Sequence, residues 1–232
     1  VGGHYHLGEQ SAVVHRKGLT IAVDVNKKFY GIDCLIRHDY EDETIQGKLK
    51  GYQKKSVDSM LHFCTNVPNF KYGSVLDVGC GDDYSMGLMR EKFKIVRGID
   101  LYPGADYKDV VTADWYEMAE QTGAFGFEKF DAIFINHSME HAENVYALMQ
   151  QVSALQDKGG VLFVAVPDGN SPFGYSITSS TTHFSCITEG YLATTLQRFG
   201  YQVAVERREF RPGAPELWAF AVKMVDGFSL EK

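Results

Sequence analysis

Val75-Leu76-Asp77-Val78-Gly79-Cys80-Gly81-Asp82-Asp83 is the stretch from which the fold is read. An apolar run breaks at Asp77 into two glycines one residue apart, and an apolar pattern of helical spacing resumes near Tyr84. Strand, tight turn, helix is the order this predicts. Such a turn brings backbone close to whatever it faces, and glycine suits it because there is no Cβ to block the approach or to forbid a positive φ. The opening N–H groups of the next helix lack intrahelical acceptors, so they are expected to be free for a polar group. The stretch is a candidate ligand loop.

Working outward, Ile95 to Asp100 is a second short apolar run that ends in an acid, roughly twenty residues on, where nucleotide-binding α/β units hold ribose hydroxyls. Val110 to Ala113 runs into Asp114-Trp115, and Phe130 to Ile135 runs into Asn136-His137. All four runs therefore finish in polar residues. Open α/β sheets bind ligands outside the carboxyl ends of their parallel strands, so these ends are expected to converge. A fifth run, Val161 to Val166, is continuously apolar and stopped by Pro167, as a buried parallel strand would be.

These motifs resemble the class I S-adenosylmethionine-dependent methyltransferases, specifically the broad group with a Leu-Asp-Val-Gly-Cys-Gly first motif and a Glu-His pair, here Glu140-His141, after the fourth strand. The resemblance spans Ser74 to Lys223. It departs from the family at Asp83, which replaces the usual third glycine. The fold it implies is α/β: a Rossmann-like, seven-stranded, mainly parallel sheet with an antiparallel last strand, helices on both faces and an N-terminal helical cap. It also implies S-adenosyl-L-methionine as cofactor. Asp77 would face the ammonium, while Gly79, Cys80 and Gly81 form the loop. Asp100 and Leu101 would lie at the ribose, Asp114 and Trp115 at the adenine, and Asn136, His137 and Ser138 at the methionine end. His141 or His183 would be the general base, with Asp168 and Tyr175 facing a small-molecule acceptor methylated on oxygen or nitrogen. Helices before the core would close the site, making Tyr30, Tyr40 and Tyr52 lid candidates.

Three alternatives stand beside this reading. No metal is assigned, but His137, Glu140, His141 and His183 are similar to the ligand set of metal-assisted methyltransferases acting on vicinal hydroxyls, including those of small RNA. There, nitrogen and oxygen ligands would lower a hydroxyl's pKa. A nicotinamide-dependent oxidoreductase would need a third glycine where Tyr84 stands. A non-catalytic cofactor-binding subunit is the third, since fold alone does not specify activity.

The 232 residues are enough for one α/β core and short for two, with residues 1–72 read as arm and cap and 73–232 as the methyltransferase core. A hydrophobic share of 44% and a charged share of 23% are those of an ordinary globular chain. A net charge of −7 disfavours a nucleic-acid partner. No apolar run reaches membrane-span length and no leader pattern opens the chain, so a cytoplasmic setting without membrane is expected. Val1 in place of methionine leaves room for a preceding segment. Cys34, Cys64, Cys80 and Cys186 form no Cys-x-x-Cys pair and read as reduced thiols.

Elsewhere, Val1 to Leu19 reads as a loosely docked arm despite His4, His6 and His15. Thr20 to Val25 reads as a short strand. Thr44 to Cys64 carries apolar residues at helical spacing, and helices are expected over Tyr84 to Phe93, Trp115 to Gln121, His141 to Leu155 and Thr188 to Phe199. Tyr201 to Arg207 and Leu217 to Met224 are expected to pair antiparallel about a Pro212-to-Pro215 turn.

Overall fold

A computed structural model describes residues 11–16, 19–24, 43–101, 108–114, 129–178, 183–211 and 213–226. A separate hairpin of β1 (Ser11–Arg16) and β2 (Leu19–Asp24) comes first, before a 24-residue helix, α1 (Glu43–Asn66). The core alternates β3 (Ser74–Val78), α2 (Tyr84–Met89), β4 (Ile95–Asp100), β5 (Val110–Thr112), β6 (Ala132–Asn136), α3 (Val145–Ala154) and β7 (Val161–Pro167). It ends with α4 (Pro172–Thr178), α5 (Glu189–Arg198), β8 (Tyr201–Arg211) and β9 (Ala214–Lys223).

The sheet has seven strands in the order β5-β4-β3-β6-β7-β9-β8, parallel from β5 to β7. β9 runs antiparallel between β7 and β8. The chain moves from β3 to β4 on one side and returns to β6 on the other, so the crevice at a reversal of strand order opens between β3 and β6. That is where Gly79 and Gly81 stand.

Side-chain alternation assigns the two faces. Leu76, Val78, Ile133, Ile135, Leu162 and Val164 point to one cluster, closed by Val145, Leu148, Met149 and Val152 of α3 and Leu192 and Leu196 of α5. Val75, Phe134, Phe163, Trp218 and Phe220 point to the other, closed by Val57, Met60 and Cys64 of α1 and Met86 and Met89 of α2. Helices therefore lie on both faces, and α1 is the N-terminal cover. The caps obey local chemistry. Asn144 Oδ1 accepts from Ala147 N at 3.0 Å, Thr188 Oγ1 accepts from Tyr191 N at 3.3 Å, and Gly200 succeeds α5 at φ 81.

Three expectations need correction, and one helix had no counterpart among them. Ser11–Arg16 is a strand rather than an arm, because it finds Leu19–Asp24 as a pairing partner. The helix expected from His141 begins at Val145, since residues 139–141 form a 3₁₀ turn and Asn144 caps α3. α4 went unread because its glycine and serine content hides any apolar period; the start signal was present, Ser171 Oγ accepting from Gly174 N at 2.8 Å ahead of Pro172. The closing hairpin is tighter than the Pro212-to-Pro215 turn, pairing Arg211 with Ala214 across Gly213 at φ 78. The expected helix at Trp115 to Gln121 and residues His4, His6, Tyr30, Cys34, Tyr40 and Trp115 lie outside the described residues. Among the described residues no helix is long and apolar enough to cross a membrane.

Candidate functional site

The glycine loop leaves β3 with Gly79 at φ 80, Gly81 at φ 58 and Asp83 at φ 64. A Cβ on Gly79 would overlap Ser138 Oγ, so this loop and the one after β6 touch across the crevice. A Cβ on Gly81 would meet nothing within 4 Å, which leaves open space beside the loop. The loop amides ahead of α2 are already engaged. Gly79 N and Cys80 N both donate to Ile99 O, at 2.7 and 3.3 Å, and Gly81 N donates to Asp100 Oδ2 at 2.9 Å. These bonds brace the loop against β4, so the glycines contribute room rather than donors. Cys80 is buried, with Sγ against the position a Gly98 Cβ would take; its thiol faces the sheet, and burial pushes it far up.

Asp83 takes the left-handed conformation that the family's glycine would take. Its carboxylate is gripped at both oxygens by Arg90, 2.9 Å each. Asp is among the non-glycine residues that tolerate that region best. Asp83→Gly is therefore expected to leave urea stability within about 1 kcal/mol of wild type, losing a partly exposed ion pair while relieving the backbone. Asp83→Val, which keeps the strain and loses the pair, is expected to cost about 1–3 kcal/mol in the same melt.

Asp77 is 2% exposed and its Oδ2 has no hydrogen-bond partner among the described residues. Burial, with Asp100 next, raises its pKa well above the usual carboxylate range. A buried, unpartnered carboxylate oxygen fits a cationic ligand group, which would supply the missing donor. Asp100 is buried and spends one oxygen on Gly81, Leu101 packs half-buried against the first cluster, and Asp114 comes after Ala113, whose N–H donates to Asp100 O at 3.2 Å. Asp77, Asp100 and Asp114 thus stand along one rim.

Across the crevice, Asn136 Oδ1 lies 3.3 Å from Tyr52 Oη. His137, at φ 52, sets its ring among three side chains: Nδ1 lies 3.2 Å from Glu140 Oε1, and Nε2 lies 2.8 Å from Tyr52 Oη and 3.3 Å from Glu216 Oε1. Burial alone would push the imidazole pKa down, but Glu140 and Glu216 hold it up at about 9. Glu140 is the mirror case, with burial opposed and overcome by His137, then His141 and His183, leaving it at about 2. Tyr52 is thus a half-buried part of the site, and Glu216 is a member that sequence reasoning missed. Its signal was a carboxylate at the head of a mostly apolar strand.

His141 and His183 come together, ring centroids 4.6 Å apart and edge to face. The chain brings them there by donating Phe184 N and Ser185 N to Glu140 O, at 3.0 and 3.1 Å. One ligand atom each from Glu140, His141 and His183 lie within 4.8 Å of one another, a spacing that would admit a cation; His137 stands outside that group. A cleft beside them is lined by Glu140, Pro167, Gly169, Gly174, His183 and Ser185. Asp168 does not face it freely, since Oδ2 pairs with Arg207 Nε at 2.7 Å, whereas Tyr175 on α4 is 74% exposed.

A family model described as a methyltransferase domain matches residues 49–206. Ubiquinone biosynthesis O-methyltransferase of Histophilus somni (strain 2336) is 30% identical over 104 residues, 38% of this chain and 42% of that protein. Trans-aconitate 2-methyltransferase of Escherichia coli O9:H4 (strain HS) is 28% identical over 112 residues, 47% of this chain and 44% of that protein. The chain thus spans less than half the length of these curated relatives. Among solved structures, magnesium protoporphyrin IX methyltransferase from Synechocystis PCC 6803 with bound SAH superimposes with TM-score 0.58 at 18% identity, over 83% of this chain and 94% of that one. A SAM-dependent methyltransferase from Archaeoglobus fulgidus gives 0.56 at 18%, over 71% and 93%. The structural matches speak for the fold alone. The family match covers more than half of the chain, including the glycine loop and the rim, and with it the chain belongs to the class I methyltransferases, whose cofactor is S-adenosyl-L-methionine.

Proposed function

We propose that this chain transfers a methyl group from S-adenosyl-L-methionine to an oxygen or nitrogen of a small-molecule acceptor. The observation that carries the reading is the buried Asp77 oxygen, without a partner among the described residues, beside a glycine loop that leaves space open. Asp77 would hold the ammonium, Asp100 and Leu101 the ribose side, Asp114 and Trp115 the adenine, and Asn136 and Ser138 the methionine end. The bound cofactor supplies an electrophilic methyl group, so the protein's own work is to orient the acceptor and exclude water. Where the acceptor carries a proton, His141 or His183 would remove it, His183 lining the cleft and His141 packing against its ring.

The net charge of −7 supports a small acceptor over nucleic acid, and so do the two curated relatives, named for ubiquinone biosynthesis and for trans-aconitate. A cytoplasmic setting belongs to the same reading. The test is release of S-adenosylhomocysteine with a panel of phenols, carboxylates and amines set against single-stranded and duplex RNA. Turnover with one of the small acceptors is the expected result; turnover with RNA alone would overturn the acceptor class.

The Glu140, His141 and His183 spacing supports a second reading, in which a divalent ion bound there activates a hydroxyl acceptor. Calorimetric titration of the demetallated protein with manganese is then expected to give a single site that disappears in His183→Ala. Absence of manganese binding by the wild type would remove this reading and leave the histidines as bases.

A further inference from the structure

His137 is held in a way that neither cofactor binding nor proton abstraction uses. Its φ of 52 places a non-glycine residue in the left-handed region, at a cost of about 1–2 kcal/mol. Its N–H donates to Ala165 O at 2.8 Å, which fixes that turn at the end of β6. The ring then lies between two buried carboxylates, Glu140 on one side and Glu216 on the other. Tyr52 Oη, 2.8 Å from Nε2, donates to Glu216 Oε2 at 2.8 Å, and Trp218 Nε1 donates to the same oxygen at 3.1 Å. Both ring nitrogens therefore face protein groups, and the anchors come from α1, β9 and the turn after β6.

A buried ion pair adds little net stability, because desolvating both charges offsets their attraction. Backbone strain at the same residue makes a purely stabilising role harder to sustain, and strained residues gather where geometry matters to function. What the clamp does fix is Glu140. That carboxylate takes His137 on Oε1, keeps a buried Oε2 with no partner among the described residues, and presents an oxygen within 4.8 Å of ring nitrogens of His141 and His183.

We propose that His137 is a positioning residue, which holds the Glu140 carboxylate beside the His141–His183 pair, so that its charge orients the imidazole that meets the acceptor. The proposal rests on reading that pair as the acceptor side of the site. It makes Tyr52 and Glu216 the outer supports of the same arrangement, so the docking of α1 reaches the base through one hydroxyl and one ring. The chemistry is that of a base whose ring is oriented by a third group, with the orienting carboxylate itself held in place.

The test is a long-range proton–nitrogen spectrum of protein labelled with nitrogen-15 in histidine, recorded at one pH for wild type, His137→Gln and Glu140→Gln. The ring signals of His141 and His183 are expected to move in His137→Gln in the direction they move in Glu140→Gln. Signals that stay at their wild-type positions in a folded His137→Gln protein, while Glu140→Gln displaces them, would overturn the proposal. If His137→Gln does not fold, Tyr52→Phe is judged by the same criterion, since it removes one support and leaves the ring. S-adenosylhomocysteine binding by the wild type, measured separately, decides the cofactor reading, so the two failures are told apart.

Discussion

Asp100→Ala is expected to abolish measurable binding of S-adenosylhomocysteine while the chain stays folded. Two losses combine at that position. The carboxylate that would accept from ribose hydroxyls disappears, and Gly81 N–H loses the acceptor that braces the loop at 2.9 Å. Hydrogen bonds to a charged group contribute about 1.5–3 kcal/mol each. Two of them correspond to a fall in affinity of roughly 100-fold or more. Calorimetry gives the affinity, and circular dichroism with a thermal melt shows whether the fold survives. Wild-type binding retained in the mutant would mean that the rim at β4 is not the ribose side, and the cofactor would have to be placed elsewhere in the crevice.

Gly79→Val is the substitution expected to destabilise the fold most. A side chain at φ 80 costs about 1–2 kcal/mol in backbone strain. Its Cβ would also enter the space of Ser138 Oγ, and overpacking of that kind typically adds about 1–3 kcal/mol. The sum is a substantial fraction of the roughly 5–15 kcal/mol by which native proteins are stable. Urea unfolding of Gly79→Ala, Ser138→Gly and the double mutant separates the two parts, since removing Ser138's side chain relieves the overlap and leaves the strain. Recovery of part of the lost stability in the double mutant is expected. Strict additivity would show that the two loops do not meet.

Local rules carried much of this protein into view from the sequence. Continuous apolar runs marked the buried strands, because a strand covered on both faces has no polar side to show. Asn144 and Thr188 cap their helices through side-chain oxygens that reach only three residues on, chemistry local enough to stand in the sequence. Gly79, Gly81, Asp77 and Asp100 were legible because a turn that approaches a ligand restricts which residues it can contain. α4 escaped because its start signal, Ser171-Pro172, stands in a stretch with no apolar period.

What only the tertiary structure decided are the relations between distant segments. The insertion of β9 between β7 and β8 is set by which strand edge was left open, and no residue announces it. Lys223, a charged residue at the end of a strand, is fully buried, with Nζ donating to Ser153 Oγ and, at 2.5 Å, to Phe199 O at the end of α5. The internal use of the loop amides became visible only when Ile99 O and Asp100 were placed beside them. The arrangement around His137 joins residues as far apart as Tyr52 and Glu216. A sequence states which groups can ionise or donate, and folding determines which of them are removed from water together. His137 reads in sequence as a residue at the methionine end of the cofactor; that its ring lies between two buried carboxylates is decided by the fold.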